Sequence, residues 1–199
     1  DHNSVLATLP AIYQARGQLA CMVIPKRERH AVFSQAQAEQ LARDGAVLVE
    51  QLDGEEPLLL MACGSYQLAE MQRAAVRLRT AGLAYRLVYV QEPGRFRAPR
   101  DRWEAQALAS PEVVAQLFAP ALRRRVLLTH MRPEVARGHL WPLLPDASNT
   151  VVLGYRNRGG TLDEAGMQFA NNATWAHILD ACAQLLQVPL SGVLSAAEI

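Results

Sequence analysis

The chain carries one lysine, Lys26, against nineteen arginines, so chemistry that needs a primary amine has a single candidate. Lys26 follows the apolar run Cys21–Ile24 and Pro25, which places it at the expected end of a strand. A lone ammonium there can meet an anionic substrate group as a point charge. The same residue also reads as one member of a solvated Lys-Arg-Glu-Arg loop. A phosphate-cradling G-x-x-x-x-G-K-[ST] loop is excluded, because no Gly immediately precedes Lys26.

Other residue groups invite chemistry with less force. Arg95, Arg97, Arg100 and Arg102 surround Phe96 and Trp103 in a loop that could hold phosphates or single-stranded nucleic acid. Glu92, Asp101 and Glu104 dilute its charge, so a solvated or interface loop is the favoured reading. Arg123-Arg124-Arg125 reads as a solvated helix end. Gly154-Tyr155-Arg156-Asn157-Arg158-Gly159-Gly160-Thr161 is a Gly-rich strand-to-helix turn whose backbone N–H groups could receive an anion. It lacks G-x-G-x-x-G spacing, and a structural turn or subunit-contact loop is favoured, with Asp163 and Glu164 able to pair with its arginines. None of His2, His30, His130, His139 and His177 shows metal-ligand spacing. His130 stands at a strand's carboxyl end and His177 near the start of the last helix, where capping or surface roles are expected. No G-x-S-x-G exists, and Ser65 in Cys63-Gly64-Ser65-Tyr66 is expected to cap a helix. Cys21, Cys63 and Cys182 lie in apolar surroundings, too far apart in sequence for a C-x-x-C pair, and read as small hydrophobes in a reducing, cytoplasmic compartment.

Positioning these groups requires a scaffold, and the hydrophobic pattern supplies one. Apolar runs of strand length occur at Leu19–Ile24, Ala46–Val49, Leu58–Cys63, Leu87–Val90, Val126–Thr129 and Thr150–Leu153. Most are continuous, as strands covered on both faces of a parallel sheet must be. Leu68, Met71, Ala75 and Leu78 form a helical stripe that Gly82 ends. Trp175, Ile178, Leu179, Cys182, Leu185 and Leu186 form another, stopping before Pro189. The alternation predicts an α/β fold with a mostly parallel sheet flanked by helices.

Composition sets the outer bounds. The 199 residues are half apolar and one fifth charged, with a formal net charge of +1. That balance argues against nucleic acid as a partner. No apolar run approaches the roughly 20 residues of a membrane span, and no signal peptide is visible. The chain lacks an initiating Met, which suggests a processed, cloned or proteolysed piece. Ser4–Arg16 with Leu19–Ile24 reads as a helix–strand pair too small for its own core. Residues 27–54 read as a connector with a short helix capped by Ser34, and Asp53–Pro57 as a boundary turn.

The order of these segments resembles the C-terminal part of bacterial phosphoketolases. Asp1-His2-Asn3-Ser4-Val5-Leu6 is similar to that family's D-x-N-T-x-L helix start, and Cys21–Lys26 to its apolar strand ending in Lys. Leu60-Met61-Ala62-Cys63-Gly64 resembles V-M-A-C-x-G, while His130 and Pro133 fit H-x-x-P. Gly154-Tyr155, Gly160-Thr161 and Asn171 through His177 fit G-Y…G-T…N-x-x-x-x-x-H. The family's aromatics and acidic residues are replaced here at Met131, Arg132, Glu134, Asn157 and Arg158, and its T-P-F-D stretch by Leu162–Gly166.

The resemblance implies a parent enzyme that uses thiamine diphosphate and Mg2+ to cleave xylulose 5-phosphate or fructose 6-phosphate, releasing acetyl phosphate with inorganic phosphate. It implies residues 1–26 as the end of the cofactor's pyrimidine-binding domain, 27–54 as a connector, and 55–199 as a transketolase C-terminal-like α/β domain. Lys26 would belong to the substrate-phosphate site of a homo-oligomer. No G-D-G…N-N motif is present, so the piece alone is expected to bind no cofactor or metal and to be inactive. The alternatives are a free-standing interaction or dimerisation domain, or part of another thiamine enzyme such as a transketolase.

Overall fold

Leu58–Cys63 forms the central strand, β2, and all six of its side chains are buried. The computed structural model describes residues 1–17, 19–144, 146–158 and 160–194. On one side of β2 lies β3 (Tyr85–Val90), on the other β4 (Arg125–Thr129), both parallel to it. β5 (Thr150–Gly154) extends the sheet beyond β4, again parallel. β1 (Ala46–Leu52) pairs antiparallel with β3, its register shifting between Leu48 and Glu50, and the order is β1-β3-β2-β4-β5. A strand with helices over both faces has no wet side, which is why the run Leu-Leu-Leu-Met-Ala-Cys does not alternate.

Each face carries its own apolar layer. One joins Leu58, Leu60 and Ala62 to Met71 and Leu78 of α3 (Ser65–Thr80), and to Ile178, Leu179 and Cys182 of α8 (Trp175–Leu186). The other joins Leu59, Met61 and Leu127 to Leu117 of α5 (Pro111–Leu117) and Ala136 of α6 (Pro133–His139). The two helices of the first layer are tied electrostatically. Buried Glu70 on α3 accepts the Trp175 backbone N–H at 2.8 Å while pairing with Arg73 at 2.7 Å. A carboxylate at the start of α8 satisfies an N–H that the helix leaves unpaired, with favourable sign for the helix dipole.

The segment read as a connector takes part in this architecture. It contains α2 (Gln35–Asp44), capped by Ser34 as expected, and β1, whose Glu50 and Gln51 give the sheet a polar edge. Ahead of it, α1 (His2–Gln14) is capped by Asp1, whose carboxylate also accepts the Phe33 N–H at 2.8 Å. Asn3 donates to the Phe33 carbonyl at 2.8 Å, and Gln91 donates to Thr8 at 2.9 Å. These bonds hold the helix by one side, and Ser4 is its one buried residue.

Three expectations need correction. No strand forms over Leu19–Ile24: Leu19 is 105% exposed and Val23 81%. The run finds no neighbouring strand among the described residues, and the sheet closes its order without it. Lys26 is therefore exposed in a bend and does not end a strand, and Cys21 is exposed. Ser65 does not cap α3; the N-cap is Gly64 at φ 116°, without a side-chain bond. Among the described residues no helix is long and apolar enough to cross a membrane.

Candidate functional site

The parallel strands end at one edge, and the chain leaves adjacent β2 and β4 in opposite directions. β2 continues through α3 to β3, whereas β4 continues through α6 to β5 on the other side. Open α/β sheets bind ligands in the crevice that such a reversal leaves outside the strand ends. Gly64 and His130 line this point. Gly64 holds φ 116°, which L side chains rarely adopt, and a Cβ there would also strike the Gln67 amide oxygen, so the turn favours glycine.

The crevice holds a pair that resembles a nucleophile and its base. Cys63 Sγ lies 3.8 Å from His130 Nδ1, and the same nitrogen is 3.1 Å from the Cys63 carbonyl oxygen. Burial pushes the Cys63 thiol up to about 11. A thiol held protonated at neutral pH is a poor nucleophile, so the pair is structural.

A second arrangement sits one strand over. The Tyr155 N–H donates to the Met131 carbonyl at 3.0 Å, joining the loops after β4 and β5. A Cβ on Gly154 would collide with that carbonyl, so the close approach requires glycine. Asn171, 2% exposed, then fixes the second loop: its Oδ1 accepts the N–H groups of Arg156 at 2.7 Å and Arg158 at 3.2 Å. Its Nδ2 donates to the carbonyls of Arg158 at 3.0 Å and Met167 at 2.8 Å. Arg132, Glu134, Tyr155, Arg156 and Arg158 line a cavity of about 340 Å³ beside these loops. The backbone amides of Arg156 and Arg158 are thus engaged by Asn171, and side chains face the cavity instead.

The N-terminal segment reaches the same edge through Arg29. Its guanidinium lies 3.8 Å above the Tyr66 ring and pairs with Glu164 at 2.6 Å, just inside α7 (Glu164–Ala170). Lys26 is three residues away, so its Cα lies within about 11 Å of that of Arg29. Lys26 itself is exposed, and among the described residues it makes no hydrogen bond or ion pair.

Other expectations resolve as follows. Glu164 pairs with Arg29 and not with the Arg156–Arg158 loop, while Asp163 caps α7 by accepting the Gly166 N–H at 2.8 Å. The Arg95–Arg102 loop is internally neutralised: Arg95 pairs with Glu92, Arg97 and Arg100 share Glu104, and Arg102 covers Trp103. Arg125 is no solvated helix end but a buried guanidinium donating to the carbonyls of Leu122, Leu143, Phe118 and Ala119. His177 Nδ1 lies 2.7 Å from the Thr174 hydroxyl, at the start of α8, and burial lowers its pKa. Arg29, Tyr66 and Arg132 escape sequence reasoning, because no spacing announces that Arg29 meets Tyr66 and Glu164 or that Arg132 joins Arg156 and Arg158.

The fold is similar to that of transketolase from Leishmania mexicana, with a TM-score of 0.52 and 14% identity over 78% of this chain. Transketolase from Campylobacter jejuni subsp. jejuni superposes at a TM-score of 0.44, with 14% identity over 75% of the chain. The chain spans 20% and 19% of their respective lengths. No family model and no curated protein matches its sequence. The chain has a transketolase-like α/β fold.

Proposed function

We propose that this chain is the C-terminal part of a thiamine-diphosphate-dependent phosphoketolase, acting as a homo-oligomer. That enzyme would split xylulose 5-phosphate or fructose 6-phosphate with inorganic phosphate, giving acetyl phosphate and an aldose phosphate. One observation carries the reading. A transketolase-like fold occurs in a chain whose phosphoketolase-like motifs run in order from Asp1 to His177. In this reading residues 1–26 complete the pyrimidine-binding domain, 27–54 connect, and 55–199 form the C-terminal domain. The exposure of Leu19, Val23 and Ile24 favours such a neighbour, since apolar side chains of this size are normally buried.

Lys26 is proposed as a ligand of a substrate phosphate. An exposed ammonium without a partner among the described residues is free to meet a dianion, and Arg29 holds its segment at the sheet's carboxyl edge. Thiamine diphosphate supplies an electron sink where it is bound. Its diphosphate needs a divalent cation, and no group of three or more His, Cys, Asp or Glu among the described residues could hold one. The cofactor does not fit onto the described residues, and in this reading its chemistry belongs to the rest of the enzyme.

A transketolase proper is the second reading, favoured by the structural likeness itself. The whole protein that carries this chain separates the two. Supplied with thiamine diphosphate, Mg2+, xylulose 5-phosphate and phosphate, a phosphoketolase forms acetyl phosphate in proportion to phosphate. Ketose transfer to an aldose acceptor without a phosphate requirement would replace the first reading with the second.

A further inference from the structure

Among the described residues Arg29, Arg43, Arg73, Arg79, Arg95, Arg97, Arg100 and Arg124 pair with carboxylates. The cavity beside Asn171 is built differently. Arg132, Arg156 and Arg158 line it together, and no carboxylate among the described residues pairs with any of the three. One acid, Glu134, shares the cavity, so three cations face one anion. Like charges gathered in a concavity repel, and an anionic ligand removes that repulsion.

The surroundings are organised for such a ligand. The loops carrying the arginines are fixed by the Met131–Tyr155 bond and by the four bonds of Asn171, so their backbones need not be ordered on binding. Guanidinium groups match the oxygens of a phosphate in bidentate fashion. The cavity, about 340 Å³, is large enough for a small organic molecule as well as the anion. Tyr155, 39% exposed and with its hydroxyl 3.0 Å from Asn157 Oδ1, offers a ring face, and Glu134 can accept from a hydroxyl.

We propose that this cavity binds a small hydroxylated phosphomonoester, with Arg132, Arg156 and Arg158 on the phosphate and Tyr155 and Glu134 toward the organic part. Lys26 is not among its lining residues, and the proposal is independent of the activity proposed above. It uses arginine side chains, not the backbone amides of the Gly-rich turn.

Calorimetric titration of this chain at low salt tests it, with ribose 5-phosphate, inorganic phosphate and ribose as probes. Ribose 5-phosphate should bind once per chain, phosphate should compete more weakly, and ribose should give no heat. Arg156→Ala with Arg158→Ala should weaken ribose 5-phosphate roughly 100-fold, about tenfold per lost charge-assisted contact, while Lys26→Ala leaves it unchanged. Glu134→Gln, an exposed change, keeps an oxygen that accepts from a hydroxyl but removes the charge that repels the phosphate, so it should tighten binding severalfold. Equal affinity for phosphate and ribose 5-phosphate would overturn the phosphomonoester assignment. So would unchanged binding in the double variant, weaker binding in Glu134→Gln, or a dimer that the double variant dissolves while ribose 5-phosphate gives no heat.

Discussion

Two six-residue runs of nearly the same character meet opposite fates in this chain. Leu58–Cys63 is the central strand, with every side chain buried. Leu19–Ile24 has comparable apolar content, yet it forms no strand and leaves Leu19, Val23 and Ile24 in water. The contrast shows that strand propensity is a statement about available neighbours. β2 has β3 and β4 to complete its ladder and helices over both faces. The N-terminal run has neither among the described residues.

The largest way to sharpen this contrast is truncation within the two runs. Leu60→Ala should cost about 2–5 kcal/mol, the transfer term plus the cavity left in the layer it shares with α3 and α8. Val23→Ala should stay within about 0.5 kcal/mol, as expected where a side chain is already hydrated. Urea melts of both variants check this, and a large loss at Val23 would mean that the run is packed.

Asn171→Ala comes next. It leaves the Arg156 and Arg158 N–H groups and two carbonyls without the amide that now meets them, at a cost of about 1–3 kcal/mol. The same variant should weaken ribose 5-phosphate binding, since the arginine loop loses its anchor. Normal stability with normal binding would show that the loop is fixed by other means.

Thiol chemistry separates the regions without any mutation. Exposed Cys21 should react with a disulfide reagent at pH 8 in seconds to minutes, while Cys63 and Cys182 wait on unfolding. Burial raises the Cys63 thiol from 9.0 to about 11, and Cys182 from 9.0 to about 12. Both raised values favour the folded state's neutral thiols, and the sign follows from linkage. Stability from this source is complete below pH 9 and declines as pH rises toward 11 to 12, because the unfolded thiols ionise first. Labelling kinetics against pH, read by mass, would reveal a Cys63 that reacts as fast as Cys21 and so contradict its burial.

The smallest expected effect is on the fold in Lys26→Ala. An exposed side chain with no partner among the described residues should change stability by less than about 0.5 kcal/mol. A larger loss would move Lys26 from a ligand role to a structural one.

Much of the sheet was legible in the sequence because continuous apolar runs admit few alternatives to covered strands. Leu68, Met71, Ala75 and Leu78 likewise marked α3, and the stripe from Trp175 to Leu186 marked α8. Leu19–Ile24 misled for the same reason, since a run announces propensity and not the presence of a partner. Arg125 looked solvated in Arg123-Arg124-Arg125 because nothing in the sequence showed that four carbonyls would converge on it. The Gly154–Thr161 turn was visible as a possible anion site, but two of the backbone amides suggested for the task, those of Arg156 and Arg158, are engaged by Asn171, and Gly159 lies outside the described residues. That Arg132 joins Arg156 and Arg158 depends on the β4–β5 pairing, which places residues 24 or more apart at one edge.

The central proposal, that the exposed N-terminal segment works through Lys26 on phosphate-bearing substrates, has a direct kinetic test in the whole protein. Lys26→Ala should raise KM for xylulose 5-phosphate or inorganic phosphate about 10- to 100-fold, the worth of one charge-assisted contact, with a smaller change in kcat. Acetyl phosphate formation with both KM values unchanged would contradict it.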